Sequence, residues 1–249
     1  MELGLKDKTV LITGATRGIG KSIAQHFERE GASLILTGTN SEQINKLNKE
    51  AADENKRKKY FAVDFSNMMS VKQFIQDIEE YPTIDILINN AGTNIIAEFI
   101  ETNEEDYDFL LNVNLKAPYF LSKYVVKKMK NNGFGRVVNI ASIWSVITKP
   151  KRIIYTITKN ALHGMTQTMS VELAKYNVLV NTVSPGFTLT ELTKSTNSTE
   201  ELKRLSSVIP IGRIANPDEI AKVVLFLSSE VNTYIVGQNI VVDGGYTNV

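Results

Sequence analysis

The sequence predicts an α/β domain, a doubly wound parallel β-sheet with helices on both faces. Three observations carry this expectation. Short runs rich in β-branched residues are apolar almost throughout instead of alternating, the pattern of strands covered on both sides. Segments with helical spacing lie between successive runs, so strand and helix alternate along the chain. The first run also enters a glycine-rich turn that opens a helical segment. The strand runs fall at residues 9–13, 33–37, 60–63, 84–89, 136–140, 178–183 and 239–242. The helical segments fall at 20–30, 41–55, 70–80, 102–130, 154–176 and 217–228. Such alternation implies right-handed β-α-β crossovers, with ligands held beyond the carboxyl ends of the strands. No linker, repeat or low-complexity tract interrupts it, so residues 1–249 are read as one domain. Residues 189–207, polar and following a Pro185-Gly186 turn, are either a movable lid over a substrate or an ordinary surface helix and loop.

Composition narrows the functional classes. A chain of 249 residues can bury a core that needs no staples. It has no cysteine, hence no disulfide scaffold, thiol nucleophile or cysteine metal site, and that usage fits a reducing, cytoplasmic setting. Lys and Arg number 28 against 27 Asp and Glu, a net charge of +1, so no global field holds nucleic acid or an anionic membrane. The first residues lack a secretory pattern, and no apolar run approaches the roughly 18 residues of a membrane span, so a soluble, untargeted protein is expected. The two histidines, His26 and His163, are far apart in sequence with no second candidate ligand nearby, which leaves neither a histidine metal site nor a Ser-His-Asp hydrolase supported.

Two local patterns could carry chemistry. In TGATRGIG, residues 13–20, Gly14, Gly18 and Gly20 let the backbone turn sharply and approach a ligand. The helix that follows offers unpaired N–H groups and its positive dipole end, which suits a pyrophosphate; a plain tight turn is the alternative. In YTITK, residues 155–159, Tyr155 and Lys159 share one helix face. They are either a reactive phenol and ammonium pair or two side chains snorkelling from a half-buried helix.

Taken in order, TGATRGIG, NNAG at 89–92, Asn114 in NVNLKAP, Ser142 in NIAS, YTITK, SPGF at 184–187 and VVDGG at 241–245 resemble the short-chain dehydrogenase/reductase family over nearly the whole chain. Ser142 precedes Tyr155 by 13 positions, the separation usual in that family. Within it the chain is most similar to the 3-oxoacyl-acyl-carrier-protein reductases of fatty acid synthesis, with sugar and polyol dehydrogenases as near relatives. The resemblance implies a Rossmann-type fold and NAD(P)-dependent interconversion of a carbonyl and a secondary alcohol. Tyr155 would be the proton donor, and Lys159 would favour its phenolate and bind the nicotinamide ribose. Ser142 would donate to the substrate oxygen, and Asn114 would hold a water linking Lys159 to solvent. Gly14, Thr16, Arg17, Gly18, Ile19 and Gly20 would surround the pyrophosphate, and Asn90, Ala91 and Gly92 the adenine ribose. Asp64 would face the adenine amine, while Pro185, Gly186 and Thr188 would hold the nicotinamide. Judged singly, Asp64 could instead cap the next helix and NNAG could simply end a strand. The resemblance implies no metal. It suggests a homotetramer in which segments 102–130 and 154–176 pair across one interface and the carboxyl-terminal strand forms another. A catalytically silent NADP-binding sensor on the same fold is the contrasting class, and the intact Ser142, Tyr155 and Lys159 set argues against it.

The second strand ends in Thr37, Gly38, Thr39 and Asn40, where NAD-using relatives place a carboxylate. Together with the donor fork of Arg17 this predicts NADP(H), although Thr39 stands where many NADP-using relatives have a second basic residue. The substrate mouth is expected along IWSVITKPKRII, with Ser142, Trp144 and Tyr155 as substrate contacts. Lys149, Lys151 and Arg152 gather positive charge there, which suits an anionic substrate: a carrier's phosphopantetheine arm, a sugar acid or a phosphorylated sugar. A solvated loop is the plainer alternative. Lys127, Lys128 and Lys130 form a second basic run near the expected docking place of an acyl carrier protein.

Overall fold

The computed structural model describes residues 2–54, 57–191, 193 and 198–249. Its strands are β1 (Thr9–Ile12), β2 (Ser33–Gly38), β3 (Lys58–Ala62), β4 (Ile86–Asn89), β5 (Gly135–Ile140), β6 (Val178–Pro185) and β7 (Asn239–Val242). They form one parallel sheet in the order β3-β2-β1-β4-β5-β6-β7. The helices are α1 (Gly18–Arg29), α2 (Ser41–Asp53), α3 (Met68–Asp77), α4 (Glu104–Leu111), α5 (Ala117–Asn132), α6 (Ile153–Leu173), α7 (Thr199–Ser207) and α8 (Pro217–Ser228).

The unbroken apolar runs follow from helices on both faces. Val10 and Ile12 of β1, Leu34 and Leu36 of β2, and Ile86 and Ile88 of β4 pack against Ile23 and Phe27 of α1 and Ile220 and Val224 of α8. The intervening Leu11, Ile35 and Leu87 point the other way, onto Val71 and Phe74 of α3 and Leu121, Val125 and Met129 of α5. Strand order reverses between β1 and β4, which lie side by side. Their carboxyl ends therefore open the crevice in which a doubly wound sheet binds its ligand.

Three differences from the sequence expectations stand out. The helix expected over 102–130 is interrupted at Asn112–Lys116 by a π-type stretch in which the Ala117 N–H reaches back five residues to the Asn112 carbonyl. Pro118 explains part of it: lacking an N–H, it cannot give the Asn114 carbonyl its α-helical partner, and the wider turn rolls Asn114 inward until it is wholly buried. In the stretch 189–207, α7 covers 199–207 and is held by a capping box between Ser198 and Glu201, while residues 192 and 194–197 lie outside the described residues, as does residue 55 at the end of the segment expected for α2. His26 does meet a carboxylate: its Nε2 lies 2.5 Å from Asp218 Oδ1, tying α1 to α8. Among the described residues no helix is long and apolar enough to cross a membrane.

Candidate active site

The glycine turn after β1 is a cradle of bare backbone. Gly14 and Gly18 have φ of +64° and +54°, which disfavour a side chain, and a Cβ on Gly20 would overlap the Gly14 carbonyl and the Asn90 amide. Thr13 Oγ1 accepts from the N–H groups of Asn90 (3.0 Å) and Ala91 (2.9 Å), while Asn90 Nδ2 donates to the carbonyls of Thr13 (2.9 Å) and Gly14 (3.0 Å). The turn is thereby locked to the NNAG segment after β4. It is also tied to β2, where Thr37 Oγ1 accepts from Gly14 N at 3.0 Å. The α1 helix begins at Gly18 with no capping side chain and no acid in its first turn, so its N–H groups are unopposed toward an anion. Exposed Arg17 sits at the cap position, Ile19 packs on the core and the Thr16 methyl lies over Gly38. This cradle fits the pyrophosphate of a dinucleotide.

At the end of β2, Thr39 and Asn40 are exposed, and the Asn40 side chain is engaged in capping α2 through Gln43 N at 2.8 Å. Asp64 accepts from the Ser66 N–H (2.9 Å) and hydroxyl (2.7 Å), folding the turn into α3; the cap of α3 is Asn67. At the opposite end of the crevice, Pro185 closes β6, and Gly186 lies so near Asp243 that a Cβ would come within 2.7 Å of the Asp243 Cβ. Buried Thr188 donates to the Gly186 carbonyl at 3.1 Å and is paired with Ala215.

Between these ends stand the catalytic candidates. Ser142 lies just past β5, and the first turns of α6 present Tyr155 and Lys159. The Ser142 side chain is close enough to the Tyr155 phenol to favour its ionised form, and its Oγ accepts from the Trp144 N–H at 3.4 Å. Lys159, only 3% exposed, donates to the Ile140 carbonyl at 2.9 Å, with its Nζ 5.4 Å from the Tyr155 ring centroid. A methyl placed on Gly92 would come 3.2 Å from Lys159 Nζ and 3.3 Å from Asn114 Oδ1, so glycine leaves room between the two. The Asn114 amide is fixed by the backbone of Thr93, N–H to Oδ1 and Nδ2 to carbonyl, both at 2.9 Å. It also donates to Thr158 Oγ1 at 3.2 Å, which in turn donates to the Tyr155 carbonyl at 2.8 Å. Burial pushes the Tyr155 phenol above its ordinary range, and the Ser142 side chain and the Arg152 charge draw it back. Burial lowers Lys159 to about 8, within reach of a proton transfer near neutral pH.

The stretch expected to line the substrate mouth joins an aromatic wall, Trp144 edge-on to Phe187 (6.5 Å) and Phe187 edge-on to Tyr246 (5.1 Å). Lys149 Nζ lies 5.4 Å from the centre of the Trp144 ring. The expected three-charge rim needs correction. Lys151 is paired with Glu98 at 3.2 Å, whereas Arg152 keeps a buried Nε without a partner. Arg204 of α7 joins instead, near enough that its charge, after burial and Arg152, lowers the pKa of Lys149. The second basic run is likewise dispersed. Lys128 binds the carbonyls of Ile78, Glu79 and Tyr81, and Lys130 lies 4.2 Å over the Tyr176 ring, which leaves Lys127 unpartnered among the described residues.

Sequence reasoning missed three residues that hold these groups in place, Thr13, Thr93 and Thr158, and the charge of Arg204 near Lys149. Thr158 had a signal, since it stands three positions after Tyr155 on the same helix; the others are joined only by the fold.

The chain resembles known proteins along nearly its whole length. A family model described as Enoyl-(Acyl carrier protein) reductase matches residues 14–247. The chain is 38% identical to the 3-oxoacyl-acyl-carrier-protein reductase FabG of Aquifex aeolicus, over 98% of this chain and 99% of that one. It is 35% identical to the NAD-dependent glycerol dehydrogenase of Listeria innocua, over 99% and 96%. Its structure superposes on the gluconate 5-dehydrogenase of Burkholderia cenocepacia, solved with NADP and tartrate, with a TM-score of 0.91 at 30% identity, covering 100% of this chain and 98% of the other. With the cradle, the Ser142-Tyr155-Lys159 group and these likenesses on one parallel sheet, the chain belongs to the short-chain dehydrogenase/reductase family and is a NAD(P)-dependent oxidoreductase.

Proposed function

We propose that this enzyme reduces a ketone to a secondary alcohol with NADPH, using Tyr155 as the proton donor. The observation that carries it is the meeting of three groups: the Ser142 hydroxyl beside the Tyr155 phenol, and a buried Lys159 one helical turn on. When bound, the reduced nicotinamide supplies hydride to the carbonyl carbon. The Ser142 and Tyr155 hydroxyls donate to the carbonyl oxygen as it gains negative charge, and the phenol proton passes to it. The phenolate left behind is favoured by the cations beside it and recovers its proton from solvent by way of Lys159 and Asn114, whose carbonyl is denied an α-helical donor by Pro118. Gly14, Gly18, Gly20, Asn90, Ala91 and Gly92 hold the dinucleotide. Arg17, with no carboxylate at the end of β2, turns the preference toward NADPH.

Two substrate classes fit. Kinship with enzymes named 3-oxoacyl-acyl-carrier-protein reductase favours an acyl thioester on a carrier protein, within cytoplasmic fatty acid synthesis. The unpaired cations at the mouth and the likeness to a gluconate 5-dehydrogenase favour a sugar acid or related anion. NADPH consumption with 3-oxoacyl thioesters, keto acids and keto sugars tests the reading. Reduction of at least one ketone class with NADPH favoured over NADH is expected, and no turnover of any ketone, or NADH as efficient as NADPH, contradicts it. We further propose self-association as a homotetramer, with the carboxyl-terminal strand at one interface and, at the other, the groove of about 770 Å³ between α4, the π-type stretch and α6, where Leu111, Leu115, Tyr119, Met165 and Met169 lie. Light scattering checks it.

A further inference from the structure

We propose that Arg152, Lys149 and Arg204 form an anion-binding subsite beside the reacting carbonyl, so that the substrate is a ketone carrying its own carboxylate or phosphate only a few bonds away. This rests on the ketone-reductase reading and decides between its two substrate classes.

The three cations come from separate segments: Lys149 from the loop after Trp144, Arg152 from the cap position of α6, and Arg204 from α7. Lys149 and Arg204 are exposed and Arg152 is half-buried; partial burial lowers Lys149 first, and the charges of Arg152 and Arg204 lower it further. Like charges gathered without a counter-charge repel, each disfavouring the other's charged form. Among the described residues no carboxylate pairs with any of the three, although Lys151, their neighbour in the same loop, has found Glu98. Arg152 Nε is also a buried donor with nothing to donate to, an arrangement that costs free energy unless a ligand completes it. Its helix adds positive potential of the same sign, for α6 starts with no capping side chain and no acid in its first turn.

Position fixes which anion can be read. Arg152 is close enough for its charge to act on the Tyr155 phenol, where the carbonyl oxygen must sit. A group bound by Arg152 while the carbonyl meets Ser142 and Tyr155 belongs to the substrate's own short skeleton. The phosphate of a pantetheine arm, two amide units from its thioester, is too far along the chain. A guanidinium fork meets carboxylate and phosphate alike, so both are tested.

The test uses the full-length enzyme and ketones that differ chiefly in charge: acetoacetate against methyl acetoacetate, and 5-ketogluconate and fructose 6-phosphate against fructose. The charged member of at least one set should be preferred in kcat/KM by about tenfold or more, and Arg152→Gln should collapse that ratio. The chain has a single tryptophan, Trp144, beneath Lys149, which gives a readout independent of turnover. Gluconate should change its emission saturably where sorbitol does not, and Arg152→Gln should weaken that response. Parity between charged and neutral ketones in every set overturns the subsite but leaves the reductase reading standing. So does an Arg152→Gln variant that slows both members alike and shifts the pH profile, because Arg152 would then act on Tyr155 instead of on substrate. Gluconate binding through Arg152 with no ketone reduced overturns the reductase reading and keeps the subsite.

Discussion

The two ends of the crevice are built on opposite terms. At the nucleotide end the protein completes itself: Thr37 and Asn90 bind the backbone of the glycine turn, Thr13 binds that of Asn90 and Ala91, and Gly20 is pressed so closely that only hydrogen fits. At the substrate end the protein leaves itself incomplete, with cations gathered near Trp144 and a buried guanidinium nitrogen unbonded. Where the backbone itself makes the contact, geometry dictates the residue. Where side chains make it, the residue answers to a molecule that the sequence does not contain.

That contrast can be broken at several points. The largest effect belongs to Lys159, which joins the two ends. Lys159→Met should cut turnover by about 10²–10⁴-fold in steady-state kinetics. The same change should alter stability with a definite sign. Burial holds the folded-state pKa at about 8, below the usual 10.5, so the buried ammonium penalises folding fully below pH 8 and not at all above 10.5. Thermal melts should therefore show the variant gaining on the wild type at pH 7 relative to pH 10; an identical difference at both pH values contradicts a desolvated ammonium. Next comes Gly20→Ala, which forces a methyl into backbone. It should cost about 1–3 kcal/mol of stability, or roughly 2–4 °C in Tm per kcal/mol, and weaken NADPH binding measured by fluorescence titration. Gly133→Ala is its control, since Gly133 has φ +67° but open space around it, and should lower Tm slightly without touching NADPH. Arg17→Ala should reduce the preference for NADPH over NADH by about tenfold, read as the ratio of kcat/KM values, because a charge-assisted bond to the 2′-phosphate is lost. The smallest effect is expected from Lys127→Ala, within about 0.5 kcal/mol in stability and with no change in KM for an acyl-carrier substrate. A several-fold rise in that KM would restore carrier docking at this face.

The same contrast explains what could be read in advance. The run TVLIT gave β1 because its residues alternate between two apolar cores, and the parallel sheet followed from that pattern repeated along the chain. The cradle and the Ser142-Tyr155-Lys159 group were legible because the family's motifs fix backbone conformations and a helix face. The interruption at 112–116 was not, since apolar spacing runs on through a π-type turn; Pro118 was the only local clue. Nor was the fate of the basic residues. Lys151 and Lys128 looked like part of charged surfaces, yet each is consumed by a partner distant in sequence, Glu98 in one case and the carbonyls around Tyr81 in the other. Arg204 belonged to a stretch read only as a lid or surface helix, and the fold of the chain brings its charge within reach of Lys149.

The claim on which the rest depends is that the Tyr155 phenol delivers the proton. Turnover and NADPH affinity of Tyr155→Phe measure it directly. In that variant kcat should fall by about 10²–10⁴-fold with the dissociation constant for NADPH essentially unchanged. A variant that reduces its ketone at a rate close to the wild type would contradict it.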